Sequence, residues 1–129
     1  MHDAKQPPEP STFEEFWPYY VSQHLHPVNR ALHVAGFGLA LGCVVSAPLW
    51  PPNLLLAPVV GYGLSWIGHF AFERNRPASW HSTRHFVWSF RGDVRMFVRT
   101  LTGRMAEDLA RARALYAVGP VTESHATAA

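Results

Sequence analysis

Polarity divides this chain before any other property does. Between Arg30 and Glu73 there is no aspartate, glutamate, lysine or arginine, and besides the weakly acidic Cys43 and Tyr62 only His33 and His69 can titrate. Two apolar runs fill that block. Val34 to Trp50 is long enough for a marginal or tilted membrane span and Leu54 to Phe72 for a fuller one. The uncharged turn Trp50-Pro51-Pro52-Asn53 between them predicts a helical hairpin with an aromatic residue at the interface. Pro27 is suited to the first position of the first helix, where its missing N–H is not needed. Small residues stripe both runs: Gly38, Gly42 and Ser46 in the first, Gly61 and Ser65 in the second, the latter leading into His69 and Glu73 on the same face. Such stripes let membrane helices approach closely, in an intrachain hairpin or in a homodimer.

The flanks carry a different pattern. Phe13, Phe16, Trp17 and Tyr20 follow a capping-box sequence, Ser11-Thr12-Phe13-Glu14, at helical spacing. They predict an amphipathic helix lying on a bilayer surface, with Pro18 forcing a kink or a start near Trp17. Trp80, His81, Arg84, His85 and Trp88 read as an aromatic and basic loop. From about Phe90 to Tyr116 the pattern is again helical, with Val94, Phe97, Val98, Leu101, Met105, Leu109 and Ala112 on one side and Arg91, Arg95 and Arg99 on the other. This basic row suits either an interfacial helix on anionic lipid or a solvated helix face. The expected fold is therefore all-α, a small membrane-embedded helical bundle over residues 11–117, built on a transmembrane hairpin with flanking interfacial helices. Residues 1–10 are expected to form a disordered leader and residues 118–129 a disordered tail.

Composition sharpens this picture only in places. The mean hydropathy of −0.04 averages over the segregation and looks soluble. A single cysteine excludes an internal disulfide, and the polar, proline-rich N-terminus shows no cleavable signal peptide. Of the 11 lysines and arginines, nine follow Phe72 and Arg30 precedes the first span, which places both termini on the cytoplasmic side, with a bacterial inner membrane as the expected location. Membrane topology accounts for the pI of about 9.0 without nucleic acid. No glycine-rich phosphate loop or Gly-x-Ser-x-Gly elbow is present.

The candidate chemistry lies where the apolar block meets its flanks. At helical pitch His69 and Glu73 share a face, as do Asn29 and His33. In an antiparallel hairpin His33 and His69 lie at equal distances from the turn, so they should meet, with His24 as the nearest third candidate. Histidines converging with a carboxylate can hold non-haem iron or zinc, relay protons, or satisfy one another as packing.

The residues Tyr20, His24-x-x-Pro27-x-Asn29-Arg30-x-x-His33-x-x-Gly36, Gly68-His69-Phe70-x-Phe72-Glu73-x-Asn75-Arg76-Pro77-Ala78 and Trp88-Ser89-x-x-x-Asp93-x-x-Met96 resemble a known family of small membrane proteins. It was once catalogued only as a domain of unknown function, and its characterised fungal member is an endoplasmic-reticulum 2-hydroxy fatty acid dioxygenase of phytosphingosine breakdown, here called the Mpo-type family. The resemblance covers roughly Phe13 to Met105. It implies an Fe(2+)-dependent dioxygenase that shortens a 2-hydroxy fatty acid by one carbon, using O2 and releasing CO2. On this resemblance His24, His33 and His69 are the metal ligands, Glu73 a fourth ligand or an orienter, and Asn29 a supporting group at the substrate. Arg30 or Arg76 would pair with the substrate carboxylate, the acyl chain lying along the hairpin within the bilayer. At His26 the family pattern favours asparagine, and that side chain is expected to be a loop or interface histidine. The alternatives are a non-enzymatic membrane scaffold or lipid-binding protein, and a zinc-dependent lipid enzyme.

Overall fold

The computed structural model describes residues 9–116, so most of the expected leader and the whole expected tail lie outside it. Among the described residues all regular structure is helical: α1 (Phe13–Ser22), α2 (Pro27–Ser46), α3 (Asn53–Ile67) continued by a π-helical segment (Gly68–Glu73), a 3-10 turn (Ala78–Trp80), α4 (Thr83–Leu101) and α5 (Met105–Tyr116).

The helix starts follow from local chemistry. Thr12 caps α1 by accepting from the Glu15 amide at 3.2 Å, and the Glu15 carboxylate reaches back to the Ser11 amide and hydroxyl, both at 2.9 Å. The cap falls one residue later than the sequence suggested, and the glutamate side chain holds Ser11 instead of the cap amide. The helix then runs through Pro18 rather than starting near Trp17. The carbonyl that Pro18 leaves free belongs to Glu14, an exposed residue where water can take it. His26 caps α2, its Nδ1 accepting from the Val28 amide at 3.1 Å, and Pro27 opens the helix as expected. Ser82 caps α4, which begins inside the stretch expected to be a loop. The expected single helix after Phe90 breaks in two at Gly103, whose φ of +72° is reached without strain because it lacks a Cβ.

Two kinds of burial result. The aromatic face of α1 does not lie on a bilayer: Phe16, Trp17, Tyr20 and Val21 are at most 1% exposed and form one core with Met96 of α4 and Met105, Leu109 and Ala112 of α5. Asp108 fastens this unit, accepting from the Trp17 indole N–H at 2.9 Å and from the Arg99 guanidinium. The basic row of α4 lies along the edge of this unit and contacts it. Arg91 lies 4.2 Å above the Phe13 ring, and Arg95 lies above Trp17 and pairs with Glu14 at 2.9 Å.

The hairpin is the reverse. The 20-residue α2 and the 21-residue stretch Asn53–Glu73 are each long and apolar enough to cross a membrane, yet only 17% of either window is buried. The outer face of α4 continues that exposed apolar surface through Phe86, Val87, Phe90, Val94, Val98 and Leu101. The helices of the hairpin cross where a Cβ on Gly36 would lie 3.2 Å from the Gly61 carbonyl oxygen. The stripe expected to make this contact, Gly38 and Gly42, does not: Gly42 faces open space and Gly38 faces Phe97. The face that carries His33 also carries Gly36 and Ala40, so packing and histidine placement share one helix phase. At the tip the Asn53 side chain donates to the Ser46 hydroxyl at 2.8 Å, closing the turn.

A Cβ on Gly68 would stand 2.2 Å from Asn29 Oδ1, and Asn29 is fully buried. Gly68→Ala should therefore lower thermal stability by about 1–3 kcal/mol, as overpacked sites do, in a melting experiment on detergent-purified protein.

Candidate metal centre

Three elements bring His24, His33 and His69 together. His24 follows the end of α1, His33 lies in the second turn of α2, and His69 is the second residue of the π-helical segment. All three are buried, at 1%, 6% and 2% exposure. Their ring centroids are separated by 4.5, 4.6 and 5.0 Å, and one nitrogen from each lies within 4.8 Å of the others. The meeting of His33 with His69 expected from equal heights on a hairpin is present.

The partners of the rings assign the tautomers. His24 Nδ1 lies 2.6 Å from the Tyr20 carbonyl oxygen, an acceptor only, so Nδ1 carries the proton. His33 Nδ1 lies 3.0 Å from the Asp93 carboxylate and donates to it. Asn75 uses its amide N–H groups on the Gln23 backbone and side-chain oxygens at 3.0 and 3.2 Å, which turns its own oxygen toward His69 Nδ1 at 2.7 Å. In each ring Nδ1 is the donor and Nε2 keeps its lone pair. The Nε2 atoms of His24 and His33 are buried without a partner. Leaving a buried acceptor unmet costs about 1–3 kcal/mol. Clustered imidazoles whose Nδ1–H groups are held by a carboxylate, a carbonyl and an amide, leaving Nε2 free to ligate, could hold a divalent transition metal. A cavity of about 30 Å³ beside them has room for a single ion or water. Burial and the neighbouring histidines hold the His24 pKa well below its usual value, so it is neutral and ready to ligate at physiological pH.

Two residues at this centre were present in the sequence pattern without an assigned role. Asp93 of α4 accepts from His33 and, at the same oxygen, from the Tyr20 hydroxyl. The Tyr20 ring stacks on His24 at 4.2 Å. Burial and Asp93 push the phenol pKa well above its usual value, so Tyr20 stays a protonated donor. Gly92 makes room for it: a Cβ there would meet the Tyr20 ring at 2.9 Å. Asp93 thus ties α1, α2 and α4 to one ring orientation. Asp93→Asn should weaken metal binding by about 10–100-fold, the usual effect of removing the carboxylate behind a ligating histidine, as measured by competition with a chelating dye.

The remaining expected site residues lie elsewhere. Glu73 does not join the histidines. Its carboxylate accepts from the Leu25 amide at 3.0 Å, the His26 amide at 2.8 Å and Asn29 Nδ2 at 3.0 Å, all at the start of α2. Its expected side-by-side placement with His69 assumed α-helical pitch. The stretch is instead π-helical, with i→i+5 bonding that changes the phase, and it ends at Arg74 with φ 58°. Asn29 belongs to the same clamp and does not line the histidine cavity. Arg30 donates to the His24 and Leu25 carbonyl oxygens at 3.0 and 2.5 Å, bracing the link between α1 and α2. Arg76 is exposed. Neither arginine lines the cavity; Ser65, Ser79, Ser89 and Tyr62 do, and the buried Ser89 hydroxyl has no partner. His85, expected in a loop or at an interface, is buried in the first turn of α4 against Phe16.

A family model described as 2-hydroxy-palmitic acid dioxygenase Mpo1-like matches residues 10–105, a range that includes the three histidines, Tyr20, Asn75 and Asp93. No curated protein and no solved structure matches the chain.

Proposed function

The chain belongs to the 2-hydroxy-palmitic acid dioxygenase Mpo1-like family, and on that premise we propose that it is an iron(II)-dependent dioxygenase of 2-hydroxy fatty acids. The observation that carries this reading is the meeting of three buried histidines, one ring nitrogen of each within 4.8 Å of the others and each ring held by an acceptor at Nδ1. Imidazole suits iron(II), and three protein ligands leave positions for other groups. Iron(II) bound there would supply the centre at which O2 and the 2-hydroxy acid react, and the overall change balances without an external reductant: a 2-hydroxy acid and O2 give the acid one carbon shorter, CO2 and water.

The protein's own groups do the positioning. Asp93 accepts from His33 Nδ1 and from the phenol of Tyr20, fixing both rings at the cavity. The Ser89 hydroxyl, buried and unpartnered, and the Tyr62 and Ser65 hydroxyls around the cavity offer donors to the polar head of the substrate. These take the place that Arg30 and Arg76 held in the reading from the sequence. Burial at the histidines keeps bulk water away from the reacting groups. In the same reading the hairpin and the outer face of α4 face lipid, and both termini lie on the cytoplasmic side with the arginine-rich flank.

Protein purified without oxygen and reloaded with iron(II) should consume O2 when 2-hydroxypalmitate is added and release a product one carbon shorter, followed with an oxygen electrode and mass spectrometry. Failure to retain any metal after iron(II) is added back would instead favour the non-enzymatic scaffold.

A further inference from the structure

A groove of about 340 Å³ runs from the histidine cavity along the hairpin, between α2, α3 and α4. The two spaces share His33, Tyr62, Ser65, Phe90 and Asp93 at their junction. The polar residues of the groove are all at that junction. Beyond it the lining is apolar: Phe37, Ala40, Leu41 and Val44 on one wall, with Pro58 and Gly61 on the other. The floor is narrow in side chains, because a Cβ on Gly61 would touch Ala40 at 3.5 Å. From His33 to Val44 the groove descends roughly 16 Å at helical rise. One polar end and one long apolar end suit a single amphiphile lying head-first at the histidines. A second helix, about 10–12 Å across with its side chains, does not suit so small a space, whose volume is at the low end for small-molecule sites.

We propose that this groove gauges the alkyl chain of the substrate by depth, with Ala40 and Leu41 two helical turns and Val44 three turns below His33 setting which chain lengths are accepted. The proposal rests on the reading of the histidine centre as a 2-hydroxy fatty acid site and adds to it the residues that select among such acids. Leu41 and Val44 are about half exposed on the rim, so larger side chains there can fold over the groove without entering the contact between α2 and α3. Ala40 lies on the floor, where added bulk fills the same level from beneath.

The test is binding of radiolabelled 2-hydroxypalmitate and 2-hydroxyoctanoate to iron(II)-loaded protein in nanodiscs, with protein-free discs as the blank, alongside turnover of both acids. Leu41→Trp should weaken the long acid by about tenfold for every two methylenes displaced and leave the short acid unchanged. Val44→Trp should shift the preference in the same direction by less. Metal uptake should be unchanged in both. Equal weakening of both acids, or no change in either, in Leu41→Trp and Val44→Trp would overturn the gauge. If the length preference shifts in binding while no variant or parent consumes O2, the gauge stands and the dioxygenase reading falls. If turnover is normal and the preference does not move, the reverse holds.

Discussion

His69→Ala should strip the protein of bound iron and of 2-hydroxypalmitate-dependent oxygen uptake together. His69 brings one of three nitrogens clustered within 4.8 Å, and its ring is held by Asn75, which is itself tied to Gln23 at the end of α1. Removing the ring deletes a ligand, not the group behind one, so the loss of metal affinity should exceed the ~10–100-fold typical of outer-shell changes. Metal analysis by mass spectrometry and oxygen uptake on the same preparation read both effects. His69→Gln, which retains a polar side chain for Asn75, controls for folding and should lose metal as well. Oxygen uptake that persists in both variants would remove the histidine centre from the mechanism.

Glu73→Ala is expected to act differently. Its carboxylate accepts two backbone amides and Asn29 Nδ2 where α2 begins, close to the positive end of that helix. Deleting it leaves those donors without their acceptor in a partly buried place, a loss on the order of 3 kcal/mol in stability. The melting temperature should fall sharply, while protein that remains folded should still take up metal with the parent's affinity. Glu73→Gln, which can still accept from the amides, should recover part of the stability. Loss of metal from well-folded Glu73→Gln would return Glu73 to the role of ligand or orienter that the family resemblance first implied for it.

The different expectations for His69 and Glu73 mark how far the sequence could be read. The charge-free block, the Pro-Pro turn and the helix-starting Pro27 made the hairpin legible, because chain polarity and helix length are one-dimensional properties. The equal heights of His33 and His69 followed from the same arithmetic. The phase of the helix beyond Gly68 was not legible. The π-helical segment begins where Gly68 packs against Asn29, a contact between residues far apart in the chain, and no local pattern announces it. The arginines of α4 were similarly ambiguous. Periodicity aligned Arg91, Arg95 and Arg99 but could not say that Phe13, Trp17, Glu14 and Asp108 would meet them.

Composition, rise per residue and the chemistry of adjacent groups were enough for the segregation of polarity, the proline that opens α2 and the level at which two histidines would meet. The tertiary structure alone decided which polar groups face one another. It turned α1 from a surface helix into the core, took Glu73 away from the three clustered histidines, and brought Asp93 and Tyr20 to them from separate helices. Those outcomes depend on side-chain packing between distant segments, where a single glycine such as Gly92 decides whether a ring can approach.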